Sequence, residues 1–436
     1  MAVAWALVTV LAFVIGVVVL VVGLALSIAL HEIGHLAPAK LFGVRVGQYM
    51  IGFGPTLFRT RIGETEYGVK ALPLGGFISM SGMYPPTREQ SRARGMFATM
   101  IQDARDANAE TLDPDAERGA FYQLPVYKRV IIMLGGPLMN LILAIVFFAI
   151  VFSGIGIQQG TTTIAAVDEC VVASGSSQTE CTPDDPVAPA AEGGILPGDV
   201  IREVDGTAVS TFDEVAALIQ RSAGEAVPVV VERGGENVSL SVTPLLTARE
   251  MANEDGSTTV REVGFVGMTA QQALVPQPLW SGPQAALEQT GRVAQIMAQL
   301  PVRIYDTAVD LFTGSERDPD GPLSVVGAGR LAGEIAAVEA PVLNRVSALL
   351  GVLGSLNIAL FVFNLIPLLP LDGGHIAVAL WDGVKRGWAK LTGRGAPKPV
   401  DATKLVPVTF AVVIALFVMG AILILADVFN PVDLLG

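Results

Sequence analysis

The sequence predicts a polytopic α-helical membrane protein that carries a soluble α+β domain, on three observations. Four apolar runs are each long enough to cross a hydrocarbon core of about 30 Å, which takes roughly 20 residues of helix. Hydrophobic residues make up 51% of the 436 and charged residues only 16%, against about 25% charged in a typical soluble chain. Between the second and third runs, a long segment changes to strand-like alternation punctuated by turn residues.

The first run, about Ala4 to Leu30, lacks a basic leading region and is too long for the core of a signal peptide. It reads as a retained span, in a segment 1–36. Residues 37–129 follow, with an apolar β-like region from about Val44 to Met80. Its segments Tyr49–Pro55 and Tyr67–Phe77 could dip into a bilayer only where protein or a water-filled cavity satisfies their backbone. The stretch from Pro85 to Gly119 is polar and reads as partly flexible.

A second span covers 130–155. Region 156–276 is soluble: Asp199–Gly206 and Val227–Gly235 alternate as strands, Phe212–Arg221 reads as a helix, and Asp205-Gly206 and Gly234-Gly235 are turn signals. These form a compact module over about 162–247. Residues 277–344 hold amphipathic helix and a charged Gly/Pro-rich loop. A third span is expected at 345–376, a short loop at 377–404 and a fourth span at 405–427. Asn357 and Asn364 interrupt the third.

Lys and Arg in the loops set the expected orientation. The loop from His31 to Arg129 carries twelve of them, and the loop after the third run carries Lys385, Arg386, Lys390, Arg394, Lys398 and Lys404. Both loops are therefore expected to be cytoplasmic, with the soluble domain outside. The net charge of −13 speaks against a nucleic-acid partner, which needs a basic face, and against polybasic membrane anchoring. Cys170 and Cys181 match no zinc-finger spacing. They would pair if their segment faces an oxidising compartment and remain two thiols otherwise.

The chain has three histidines, His31, His35 and His375. Two of them form His31-Glu32-Ile33-Gly34-His35 at the inner end of the first run. Positions i and i+4 share a helix face, so two imidazoles there can hold one zinc while Glu32 serves as the base. The bland reading is a solvated helix end at the interface. Ionisable groups inside a span are costly, and that favours the metal. A catalytic zinc needs a third protein ligand. The third span descends to the same depth as the first, and Asp372 is the first carboxylate after its long apolar stretch. His375, three residues on, is the rival ligand. Pro367 and Pro370 would let the backbone turn there.

These residues resemble the site-2 protease family of intramembrane zinc metalloproteases, in particular its bacterial regulator-of-sigma-E protease type. HExxH near the end of a first span (His31, Glu32, His35) combines with NxxPxxxLDGG in a late span (Asn364, Pro367, Leu371, Asp372, Gly373, Gly374). Gly135–Asn140 is similar to the family's GPxxN element, Ile51–Pro55 and Pro73–Phe77 to its membrane-reentrant β element, and Gly194–Ile201 with Val204–Gly206 to a PDZ domain. One PDZ-like domain is found where some relatives carry two. The resemblance implies Zn2+ held by His31, His35 and Asp372, Glu32 as catalytic base, and Asn364 in substrate binding. It also implies single-span membrane proteins, such as anti-sigma factors or signal-peptide remnants, as substrates after a prior extracytoplasmic cut. The alternative is a non-catalytic membrane scaffold that binds partners through the PDZ-like domain; loss of Glu32 or either histidine would favour it, and all three are present. A metal transporter would need polar residues spread through the spans, and the second and fourth have almost none.

Overall fold

A computed structural model describes residues 2–83, 99–102, 119–172, 181–252, 258–318, 321–395 and 397–432. The acid-rich stretch around 103–117 lies outside these residues. The chain divides into two compact units, residues 1–153 with 278–436, and residues 154–277.

In the first unit the apolar runs fold as helices. Helix α1 is Ala2–Leu41, about 60 Å long at 1.5 Å per residue, and α2 is Val126–Ala149, continued by a π-helical turn over Ile150–Ile155. Segments Leu7–Leu41, Val126–Ile155, Val342–Asn364 and Ala402–Phe429 are each long and apolar enough to cross a membrane.

Helix α2 is the hub: it packs on α1 and on the helices Ser281–Thr313, Val342–Asn364 and Asp372–Leu391. The backbones of α1 and α2 approach closely because Gly34 faces Gly135. A Cβ on Gly135 would lie 2.0 Å from the Gly34 oxygen.

The expected third span is corrected by the structure. Its helix stops at Asn364 instead of running on to 376. A loop, Leu365–Leu371, follows, and a new helix starts at Asp372. Pro367 and Pro370 have no N–H to continue the helical ladder. Gly373 and Gly374 then pack onto the loop, where a Cβ would meet the Leu365 and Ile366 oxygens at 2.4 Å and the Leu369 nitrogen at 2.5 Å.

The β-like region forms strands β1 (Val46–Ile62) and β2 (Thr65–Met80), each bent so that the pair makes a sheet of four strand segments. Residues 46–51 sit in the middle, with 76–80 on one side and 66–69 on the other, and 56–62 pairs with 65–70. Gly52, Gly54 and Gly75 make the bends with φ of +90°, +87° and +108°, which cost glycine little. Tyr49 fastens the sheet to α1 by donating its hydroxyl to the Ala29 oxygen at 2.7 Å.

The second unit is an antiparallel sheet. Its strands are β3 (Ile157–Val167), β4 (Val200–Val204), β5 (Thr207–Ala208), β6 (Val227–Arg233) and β7 (Glu236–Val242), with β8 (Leu245–Ala252) and β9 (Thr258–Phe265) as a separate hairpin and β10 (Met268–Val275) closing the series. The order is β10-β3-β4-β6-β7, with β5 on β4. The sheet therefore reaches beyond the module expected over 162–247, because β10 pairs with β3 from outside it.

Helix α3 is Pro189–Glu192 and α4 is Phe212–Arg221; Thr211 and Glu214 close a reciprocal capping box on the latter. Ile164, Ile195, Ile201, Val215 and Val231 fill the core. Asp199, 1% exposed, accepts from Arg233 Nε and Nη2, both at 2.8 Å, and from the Leu196 N–H. The Arg233 hydrogen bonds hold its carboxyl below the usual carboxylate range. Cys170 and Cys181 are joined as a disulfide.

The remaining helices of the first unit are α5 (Ser281–Thr313), α6 (Val325–Ala337), α7 (Val342–Asn364), α8 (Asp372–Leu391) and α9 (Val406–Phe429). Buried polar groups join them in pairs, as low-dielectric burial requires. Asn357, wholly buried, donates to Ser27 Oγ of α1 at 3.0 Å, which accounts for one interruption of the third run. Arg129 at the start of α2 donates to Asp382 of α8 at 3.0 Å. Arg317 donates to Asp427 of α9 at 2.6 Å, and the same carboxylate accepts from the Ser324 and Gly327 N–H groups at the head of α6.

Candidate metal centre

Helix α1 presents His31 and His35 one turn apart, and each ring is fixed by a second partner on α2. His35 Nδ1 lies 2.7 Å from the Ile132 carbonyl. A carbonyl only accepts, so this nitrogen carries the proton and Nε2 has a free lone pair. His31 Nδ1 lies 3.1 Å from the Asn140 side-chain nitrogen. With that nitrogen towards the ring, the buried Oδ1 of Asn140 has no partner among the described residues. A half-turn of the amide lets Oδ1 accept from His31 Nδ1–H and frees Nε2 as well.

Asp372 supplies the third group. It is the first residue of α8, but it does not cap that helix; Leu371 is the N-cap and offers no side-chain bond. Instead its Oδ2 lies 3.4 Å from His31 Nε2 and 3.3 Å from His35 Nε2, and the two Nε2 atoms are 3.2 Å apart. That oxygen is shut off from solvent and has no hydrogen-bond donor among the described residues. Three acceptor atoms at such distances repel unless a cation lies between them. Donors at about 2.0–2.1 Å in a tetrahedron stand roughly 3.3–3.4 Å from one another, the spacing found here. Two imidazoles and a carboxylate match the N/O donor set of a catalytic zinc with one position left open. Among the described residues these are the cluster of His, Cys, Asp and Glu that can hold a metal.

Glu32 is 8% exposed and makes no hydrogen bond to a described residue. Its Cγ lies against strand 76–80: a Cβ on Gly76 would come within 3.0 Å of it. His375, the rival ligand in the sequence, is not among the clustered residues. It lines a small cavity with Tyr122, Arg129 and Asp382. Asn364 ends α7, half-buried, and its side chain makes no hydrogen bond to a described residue.

The role of Gly135–Asn140 in shaping the site is not readable from its motif alone. The glycines let α1 and α2 touch: a Cβ on Gly136 would fall 2.1 Å from His35 Nε2. Asn140 and the Ile132 carbonyl set the rings. The available signal was a pair of adjacent glycines and an Asn in an otherwise apolar span.

The sequence pattern of peptidase family M50 matches residues 19–396. The zinc metalloprotease Rip1 of Mycobacterium tuberculosis is 36% identical over 433 residues, covering 97% of this chain and 99% of that protein. Rip1 of Mycolicibacterium smegmatis is 33% identical with the same coverage. The metalloprotease MmpA of Caulobacter vibrioides is 27% identical over 86% of this chain and 88% of its own. The chain therefore belongs to peptidase family M50, the site-2 proteases, and is a zinc metalloprotease.

Proposed function

We propose that the chain is an intramembrane endopeptidase in which His31, His35 and Asp372 hold zinc and Glu32 is the catalytic base. The observation that carries this reading is the convergence of Asp372 Oδ2 on the two histidine Nε2 atoms. Zinc bound there supplies Lewis acidity, polarising a carbonyl and making water a better acid. Ile132 and Asn140 keep both Nε2 atoms unprotonated and aimed. Glu32 takes a proton from the attacking water and passes it to the leaving amine, a role generally worth 10²–10⁴ in rate. Asn364 contacts the substrate near the scissile bond.

A helical substrate hides its carbonyls in its own ladder, so it must unwind before it is cut. Strand 76–80 pairs on one side only among the described residues, and Gly76 abuts Glu32. That edge can accept an extended substrate segment by strand addition, which would bring the peptide to the base. Substrates are single-span membrane proteins already shortened outside the membrane. The second unit is an extracytoplasmic PDZ-like domain that binds or excludes their ectodomains. The Lys- and Arg-rich loops favour a cytoplasmic side for the metal centre.

The test is cleavage of a single-span substrate by purified protein, with zinc counted per chain. Glu32→Ala should keep zinc and lose at least about a hundredfold in rate, while His31→Ala and Asp372→Ala should lose zinc. Full cleavage by Glu32→Ala would overturn the mechanism.

A further inference from the structure

The first unit holds a groove of about 1130 Å³ between α8, the loop Pro367–Leu369 and the start of α9. It is larger than the roughly 300–1,000 Å³ of a typical small-ligand site, and its lining is mixed. Apolar Leu368, Trp381, Leu405 and Val408 line it together with Lys385, Lys398 and Lys404 and one carboxylate, Asp401. Lys385 is engaged by Asp382 at 3.3 Å and donates to the Lys398 carbonyl. Lys398 and Lys404 are exposed and have no ion-pair partner among the described residues. Asp401 caps the turn Ala402–Leu405, accepting from the Thr403 N–H.

Such a concentration of lysine is unusual for a chain of net charge −13. It stands beside the start of α9, where a segment long and apolar enough to cross a membrane begins. A half-exposed Trp381 beside lysines is the side-chain pattern of a lipid headgroup boundary. We propose that this groove binds an anionic phospholipid, its phosphate facing Lys398 and Lys404 and an acyl chain lying along Leu368, Trp381 and Val408. Charge complementarity singles out an anionic lipid over a zwitterionic one, because basic pockets between spans attract anionic headgroups. The apolar lining singles out a lipid over a free anion. The inference rests on the membrane-spanning reading and is independent of the peptidase chemistry.

The test is native mass spectrometry of the full chain released from nanodiscs of phosphatidylcholine with a minor fraction of phosphatidylglycerol. Phosphatidylglycerol should be retained in preference to phosphatidylcholine. Lys398→Gln with Lys404→Gln should weaken that retention about thirtyfold, roughly fivefold for each lysine facing an anionic surface. Val408→Trp, which fills part of the apolar lining and changes no charge, should weaken it too. Equal retention by the double variant and the parent, or phosphatidylcholine held as well as phosphatidylglycerol, would overturn the proposal. Displacement by glycerol phosphate at equal concentration would assign the groove to a free anion, and displacement by one equivalent of a single-span substrate would assign it to substrate; either overturns it. The same readouts on Glu32→Ala protein separate this failure from failure of the peptidase reading.

Discussion

Replacing Gly135 by Ala adds one methyl group at the point where α1 and α2 touch. That carbon would stand 2.0 Å from the Gly34 oxygen and 2.8 Å from the Gly34 carbonyl carbon. An ordinary non-bonded contact is about 3.5 Å, so the two backbones must separate by roughly 1 to 1.5 Å. Neither neighbour is a flexible side chain that could yield. Gly34 is covalently next to His35, while Ile132 and Asn140, which orient the two rings, ride on α2. Metal–ligand distances tolerate only about 0.2 Å, so the shift falls directly on the proposed centre. The expected outcome is a loss of about 10–100-fold in zinc affinity, as for other changes that disturb ligand orientation. Overpacking adds about 1–3 kcal/mol of destabilisation. Gly351→Ala on α7 is the control, because a Cβ there meets nothing within 4 Å. The assay is zinc retained per chain after dialysis against graded chelator, with a thermal melt on the same samples. A folded Gly135→Ala protein that holds zinc as tightly as the parent would show that the Gly34–Gly135 contact does not set the centre.

Asn140→Leu should lower zinc affinity by about 10–100-fold while the chain stays folded, whereas Asn140→Asp, which keeps an acceptor for His31 Nδ1–H, should lose less; chelator titration of both variants distinguishes them. Asp199→Asn should destabilise the second unit by about 1–3 kcal/mol, since Arg233 and the Leu196 N–H lose a charged acceptor, read as faster hydrogen exchange at Leu196 and Gly198. The sign of its pH dependence follows from the depressed carboxyl: the stabilisation is complete above about pH 4, the unfolded value, and is lost as pH falls through the lower folded value. Exchange in the parent should therefore accelerate below pH 4, and the Asn variant should lack that component.

Much of the fold was legible because a span is long and apolar enough to declare itself. The runs around Ala4–Leu30 and Val130–Ile155 lie within helices α1 and α2, and His31 and His35 meet simply because a helix repeats every 3.6 residues. Asp372 was legible through its expected depth and through the resemblance of its motif, and the chain reaches it differently from the depth argument. It stands at the head of a new helix after a proline-broken loop, not on a continuous third span. Hydropathy runs straight through Leu365–Leu371 because the loop is apolar, so only Pro367, Pro370 and the paired glycines mark the break. Long-range partners were illegible for a different reason. Nothing local tells that Asn140 faces His31, 109 residues away, or that Asn357 meets Ser27. A lone Asn in an apolar span says that a partner exists and does not say which. β10 escaped for the same reason, since it joins the sheet across the whole module to pair with β3.

Zinc-edge X-ray absorption on purified Glu32→Ala protein, paired with zinc counting on Asp372→Ala, tests the proposed centre most directly. One zinc per chain is expected, with nitrogen and oxygen neighbours at about 2.0–2.1 Å, scattering from two imidazoles, and loss of that zinc when Asp372 is removed. A sulfur shell near 2.3 Å, a single imidazole, or full zinc occupancy in Asp372→Ala would contradict it.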